Sequence, residues 1–173
     1  MNNIRLTVVF VLCLVFLSPA LLSLGIRFLP DTSMPQTGGS VKVYSEKSLN
    51  IVLPSVNDNL VGIIVRVKNS LRVNANLKFQ LFDQSNWVVA ESVVNGLSVL
   101  DGSEVRFSFS SPTFKGQTFK GVFSSDATEQ EAMEIYLEKS SDNPAYVLLY
   151  KPPSRLGLIS NIYSGWLKHL LGI

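Results

Sequence analysis

Cysteine and histidine are almost missing from this 173-residue sequence, which has one of each, Cys13 and His169. A single thiol excludes a disulfide framework and a thiolate metal site. A single histidine near the C-terminal end removes most zinc chemistry, and Ser/His or Cys/His catalysis, from everything before it. Charge is sparse too, with 15 basic against 13 acidic residues and a formal net charge of +2. No basic block stands out, so the electrostatic footprint of a nucleic-acid binder is missing and no nucleic-acid partner is expected. Gly38-Gly39-Ser40 lacks the following lysine and helix of a phosphate loop. No asparagine lies in an N-x-S/T acceptor, which fits a prokaryotic source.

Apolar residues make up 46% of the chain and are unevenly spread. The length leaves room for one globular domain plus appendages. From Leu6 to Ile26 the chain reads LTVVFVLCLVFLSPALLSLGI, without a charge, between Arg5 and Arg27. A helix of about 20 apolar residues spans a hydrocarbon core of about 30 Å. Ser18, Pro19 and Ser23 interrupt it, but hydroxyls bond back to the helix backbone and membrane helices tolerate a proline kink. Three readings compete: an uncleaved signal anchor, a signal peptide cleaved after Ala20, and a buried core helix. The anchor is favoured because hydrophobicity continues past Ala20, where a signal peptide turns polar. The flanking charges nearly balance. The short tail before the helix favours a cytoplasmic N-terminus and an exported domain, hence a single-pass membrane protein with its β-domain extracytoplasmic.

Residues 30–40, PDTSMPQTGGS, read as a flexible tether. From Val41 to Tyr150 the pattern changes to period two. Ile63, Val65 and Val67 alternate with Ile64, Arg66 and Lys68; Leu77, Phe79 and Leu81 with Lys78, Gln80 and Phe82; Met133, Ile135 and Leu137 with Glu134, Tyr136 and Glu138. Such alternation marks strands with one dry and one wet face. Turn chemistry falls between them, at Asn57-Asp58-Asn59, Asp83 to Asn86, Asn95-Gly96, Asp101-Gly102, Lys115-Gly116 and Asp142-Asn143-Pro144. Eight or nine short strands without crossover helices predict an all-β, antiparallel β-sandwich over 41–151. One short helix is expected around Thr128 to Ala132, capped by Asp126 or Thr128.

Residues 152–173 predict an amphipathic C-terminal helix. Ile159, Ile162, Tyr163, Trp166, Leu167, Leu170 and Leu171 recur at helical spacing. Trp166 and Tyr163 suit a lipid headgroup layer, and Lys168 and Arg155 the phosphates. The stripe lies on the membrane, packs on the β-domain, or forms a second span, which Lys168 and His169 would interrupt.

No catalytic centre is legible, and no cofactor or metal is expected. Asp83, Asp101 and Asp126 are turn formers before they are a catalytic set, and their spacing matches no calcium loop. Binding fits better: Trp87, Phe82, Phe114 and Tyr136 offer rings on which sugars stack, although any one of them could instead complete the core.

The run LVGIIVRVKNSLRVNANLKFQLFDQ, followed by VLDGSEVRFSFSSPTFKGQTFKGVFSS, resembles the extracytoplasmic jelly-roll, carbohydrate-binding-like modules of bacterial cell-envelope membrane proteins. The shared pattern is a strand with a central glycine (Leu60-Val61-Gly62-Ile63), a strand with Leu77 and Leu81, a polar-aromatic strand (Arg106 to Phe109) and a phenylalanine-glycine strand ending in serines (Phe119 to Ser125). The resemblance implies a jelly-roll fold and sugar binding. No transferase domain accompanies it, so no enzymatic role carries over. The expectation is a non-catalytic, membrane-anchored recognition or accessory module whose partners are the lipid bilayer and a cell-envelope glycan or a partner membrane protein. A structural subunit of an envelope complex is the alternative, and an envelope hydrolase a distant third.

Overall fold

A computed structural model describes residues 2–56, 58–110, 116–152 and 154–172. The chain forms two compact units, one of residues 30–150 and one joining residues 1–29 to 151–173.

The first unit is the expected jelly-roll-like antiparallel β-sandwich. One sheet holds six strands: β1 (Leu29–Pro30), β2 (Thr37–Val43), β4 (Leu60–Lys68), β7 (Ser103–Ser108), β9 (Met133–Glu138) and β10 (Tyr146–Tyr150). In it β4 pairs along one edge with β7 and along the other with β10 and then β9. The second sheet runs β3 (Leu49–Val56), β8 (Gln117–Ser125), β5 (Asn76–Phe82), β6 (Val88–Asn95).

Period-two alternation does what the sequence requires. Ile63, Val65, Val67, Leu77, Phe79, Leu81, Phe107, Phe119, Phe123, Met133 and Ile135 are all buried between the sheets. Phe79 packs its ring against Phe123, Phe109 and Phe107 at centroid separations of 4.8, 5.8 and 6.1 Å, spacings at which aromatic pairs attract. Two strand glycines let neighbours come this close. A Cβ on Gly62 would lie 2.6 Å from the Phe107 carbonyl oxygen, and one on Gly121 2.8 Å from the Phe79 ring. The expected turns use positive φ at Asn59, Asn86, Gly102 and Gly116, the residue types that reach it most easily.

Two expectations change. Residues 30–40 are not a free tether. The Asp31 amide donates to the Leu148 carbonyl and its carboxylate accepts from the Leu148 amide, each at 3.0 Å. Thr37 to Ser40 already belong to β2, paired with β9. Glycine and proline gave these residues the composition of a linker, but their ladder partners lie a hundred residues away. Nor do residues 128–132 form a helix. Thr128 and Glu131 close one turn, by a backbone bond and a side-chain bond. Asp126 is engaged by the Asn76 amide and side chain instead of capping. The one-turn helix of the sandwich is a 3-10 turn at Gly96–Ser98, capped by Asn95.

The second unit holds α1 (Asn2–Gly25) and α2 (Arg155–Leu171). Within α1 the segment Thr7–Gly25 is long and apolar enough to cross a membrane. Most of its described side chains are exposed, Phe10 63% and Leu24 64%, although Pro19 and Ser23 are buried. Pro19 cannot donate to the Val15 carbonyl four residues earlier, and the Ser18 hydroxyl takes that carbonyl at 2.8 Å. Ser154 caps α2, accepting from the Gly157 amide, and Gly172 ends it in the left-handed conformation.

Candidate functional site

The sandwich carries a cleft of about 560 Å³ beside β3, an edge strand of the second sheet. Three segments far apart in sequence line it: Asp31, Thr32 and Pro35 after β1; Asn50, Ile51 and Val52 on β3; and Glu138, Asn143, Pro144 and Tyr146 from the β9–β10 hairpin.

The acidic groups there are held by their neighbours. Asp31 is fixed by its bonds to Leu148, and the Thr32 hydroxyl donates to its carboxylate at 3.3 Å. Glu138 accepts from the Ser141 hydroxyl at 3.0 Å, while its amide donates to the Asn143 carbonyl at 2.8 Å. Tyr146 sits opposite Val65 in the β4–β10 ladder, so it shares the inward face and packs on the core from the rim. Burial first, then the carboxylates of Asp31 and Glu138, push its phenol above the ordinary tyrosine value. Tyr146 therefore stays a neutral hydrogen-bond donor at any physiological pH. The cleft thus offers carboxylate acceptors, two amides that both donate and accept, and one ring edge with a hydroxyl. That set suits a polyhydroxylated ligand more than an apolar one.

The aromatics singled out from the sequence are not gathered into one platform. Phe82 and Trp87 belong to the same β5–β6 hairpin. Phe82 stands opposite Lys120 and Val88 on the outer face of the second sheet, and Val52 stands opposite Lys120 in turn. Trp87 is 74% exposed at the hairpin turn, its amide bonded to the Asp83 carboxylate at 2.9 Å. Tyr136 lies on β9 in the other sheet, opposite Ser40. Phe114 lies outside the described residues. The aspartates serve turns: Asp83 accepts from the Ser85 and Trp87 amides, Asp101 from the Asn69 amide, and Asp126 from Asn76. Among the described residues no three His, Cys, Asp or Glu side chains converge as metal ligands.

The four residues expected at a membrane interface all sit on α2. Tyr163 and Trp166 turn toward α1, where the Tyr163 hydroxyl donates to the Phe16 carbonyl and the Trp166 ring meets Phe16 edge-on at 5.8 Å. Arg155 donates to the Ser23 carbonyl at 3.2 Å. Lys168 is exposed in the last turn.

A carbohydrate-binding module solved with calcium and xylotriose is 12% identical over 72% of this chain and 99% of its own, with a TM-score of 0.36. A family two carbohydrate esterase from Cellvibrio japonicus is 8% identical over 73% of this chain and 33% of its own, at 0.31. The VP2 subviral particle of infectious bursal disease virus is 12% identical over 74% and 38%, also at 0.31. All three overlap this chain loosely. No family model and no curated protein matches the sequence.

Proposed function

We propose that this protein is a non-catalytic, membrane-tethered recognition module of the cell envelope whose β-sandwich binds a glycan in the cleft beside β3. The observation that carries the reading is the cleft itself, a concave site on the sandwich lined by Asp31, Glu138, Asn50, Asn143 and Tyr146. α1 supplies the tether, with the N-terminus cytoplasmic and the sandwich outside. An exposed apolar helix of that length finds its solvent in lipid.

The test is glycan-array and polysaccharide binding by the full chain in lipid nanodiscs. Tyr146→Phe keeps the ring that packs on the core and removes the hydroxyl. Combined with Asn50→Ala, it should weaken binding about tenfold, the worth of roughly 1.4 kcal/mol, with the circular dichroism spectrum unchanged. Trp87→Ala should leave binding intact. Binding lost in Trp87→Ala and kept in the cleft variant would move the ligand to the sheet face. No affinity for any glycan would favour the structural-subunit reading, for which the partly apolar outer row of Val52, Phe82 and Val88 is the natural contact surface.

A further inference from the structure

We infer that α2 is embedded in the bilayer alongside α1, so that the two helices form a membrane hairpin and Leu171 lies on the same side as Asn2. The inference rests on α1 being a span. Three contacts fix the arrangement. Arg155, at the start of α2, reaches the Ser23 carbonyl near the end of α1. Tyr163 and Trp166, further along α2, meet Phe16, earlier in α1. The helices are therefore antiparallel neighbours. Phe16 stands midway along Thr7–Gly25, the segment apolar enough to cross. A helix that touches its partner at mid-span cannot also lie flat in the headgroup layer.

The Tyr163 bond has a physical reason at that depth. Pro19 loosens the carbonyls one turn before it, and hydrocarbon supplies no water to satisfy them. Ser18 takes the carbonyl of Val15 and Tyr163 bonds the next one, Phe16. A hydroxyl from a neighbouring helix is one of the ways membrane helices accommodate proline. The 17 residues of α2 rise about 25 Å at ~1.5 Å each, the short end of what reaches across a hydrocarbon core. Lys168, five residues beyond Tyr163, lies about 7 Å nearer the Asn2 end, where its flexible stem carries the ammonium to the interface. Leu156, Leu167 and Leu171 are exposed on α2, as lipid-facing residues are. The stripe of Ser160, Asn161 and Ser164 is also exposed, and it is polar. It opposes embedding, which makes Ser164 the sharpest probe.

Cys13 is the only cysteine, so Cys13→Ser gives a background in which single cysteines report depth. Asn3→Cys, Ser154→Cys, Ser164→Cys and Gly172→Cys are each exposed to a membrane-impermeant maleimide in intact and in permeabilised spheroplasts. The hairpin predicts Ser154→Cys labelled in intact spheroplasts, Asn3→Cys and Gly172→Cys labelled only after permeabilisation, and Ser164→Cys shielded in both. If Ser164→Cys and Gly172→Cys label in intact spheroplasts while Asn3→Cys does not, the hairpin is wrong and the α1 anchor stands. If Asn3→Cys labels together with Ser154→Cys, the span itself is wrong.

Discussion

The sandwich and the helical unit treat the same residue types in opposite ways. Phe79 is fully buried among three other rings, whereas Phe16 is 56% exposed on α1. In the sandwich each apolar residue is answered across the interior by another from the facing sheet, and polar residues alternate with it. In α1 nothing alternates. The first unit carries its own dry phase, and on the proposed function the second takes one from the bilayer. The contrast teaches that burial is a property of partner supply. A run of leucine, valine and phenylalanine makes a core or a span according to whether the rest of the chain can cover it.

Perturbations of each unit should therefore have separate readouts. The largest effect is expected from Phe79→Ala, which empties the centre of the aromatic cluster and should cost the sandwich about 3–5 kcal/mol in urea unfolding. It should leave membrane partition untouched, and coupled loss of both would break the comparison. Next comes Gly62→Ala. Its Cβ would press on a backbone carbonyl that has no room to retreat, and about 1–3 kcal/mol is expected from such overpacking in the same assay. Ser18→Ala should cost about 0.5–1 kcal/mol in thermal unfolding of the helices in detergent, with no change in the sandwich.

The smallest effects concern charge. On the outer face of the first sheet, the Ser40 hydroxyl donates to Glu134, and the Lys68 ammonium lies 3.3 Å from both of its carboxylate oxygens. These hold the Glu134 carboxyl below the ordinary glutamate value, the Ser40 bond first, and they outweigh its partial desolvation. A lowered folded pKa means that this stability is fully present above about pH 4.3 and is lost as pH falls through the folded value. Glu134→Gln should therefore show a slightly shallower fall in melting temperature between pH 5 and about 3. Tyr146 has the opposite sign, since its raised folded pKa keeps a contribution that is full below about pH 10 and lost above. Tyr146→Phe should flatten the alkaline limb of the same melting curve.

The units also differ in how far the sequence revealed them. Strand period and helix period are local, so Ile63, Val65 and Val67 declare their common face, and the uncharged run before Gly25 declares its helix. Turn positions declare themselves through Asn and Gly, as at Asn86 and Gly102, because few other residues accept positive φ. The cleft is not local. Asp31, Asn50, Glu138 and Tyr146 come from separate stretches and from both sheets, and only the packed sandwich brings them to one cleft. Tyr146 could be placed on a strand but not at a rim. Trp87 by contrast is legible in isolation, because a single ring carries its chemistry wherever it sits. The helical spacing of α2 is legible, but the partner of its Tyr163 and Trp166 is α1, more than a hundred residues earlier. No periodicity within α2 could name that partner.

Alkaline carbonate extraction of membranes from cells expressing the full chain tests the central claim most directly. The uncharged run from Leu6 to Ile26 should keep the intact chain in the membrane pellet. Recovery of the sandwich in the supernatant, or of a chain shortened after Ala20, would contradict it.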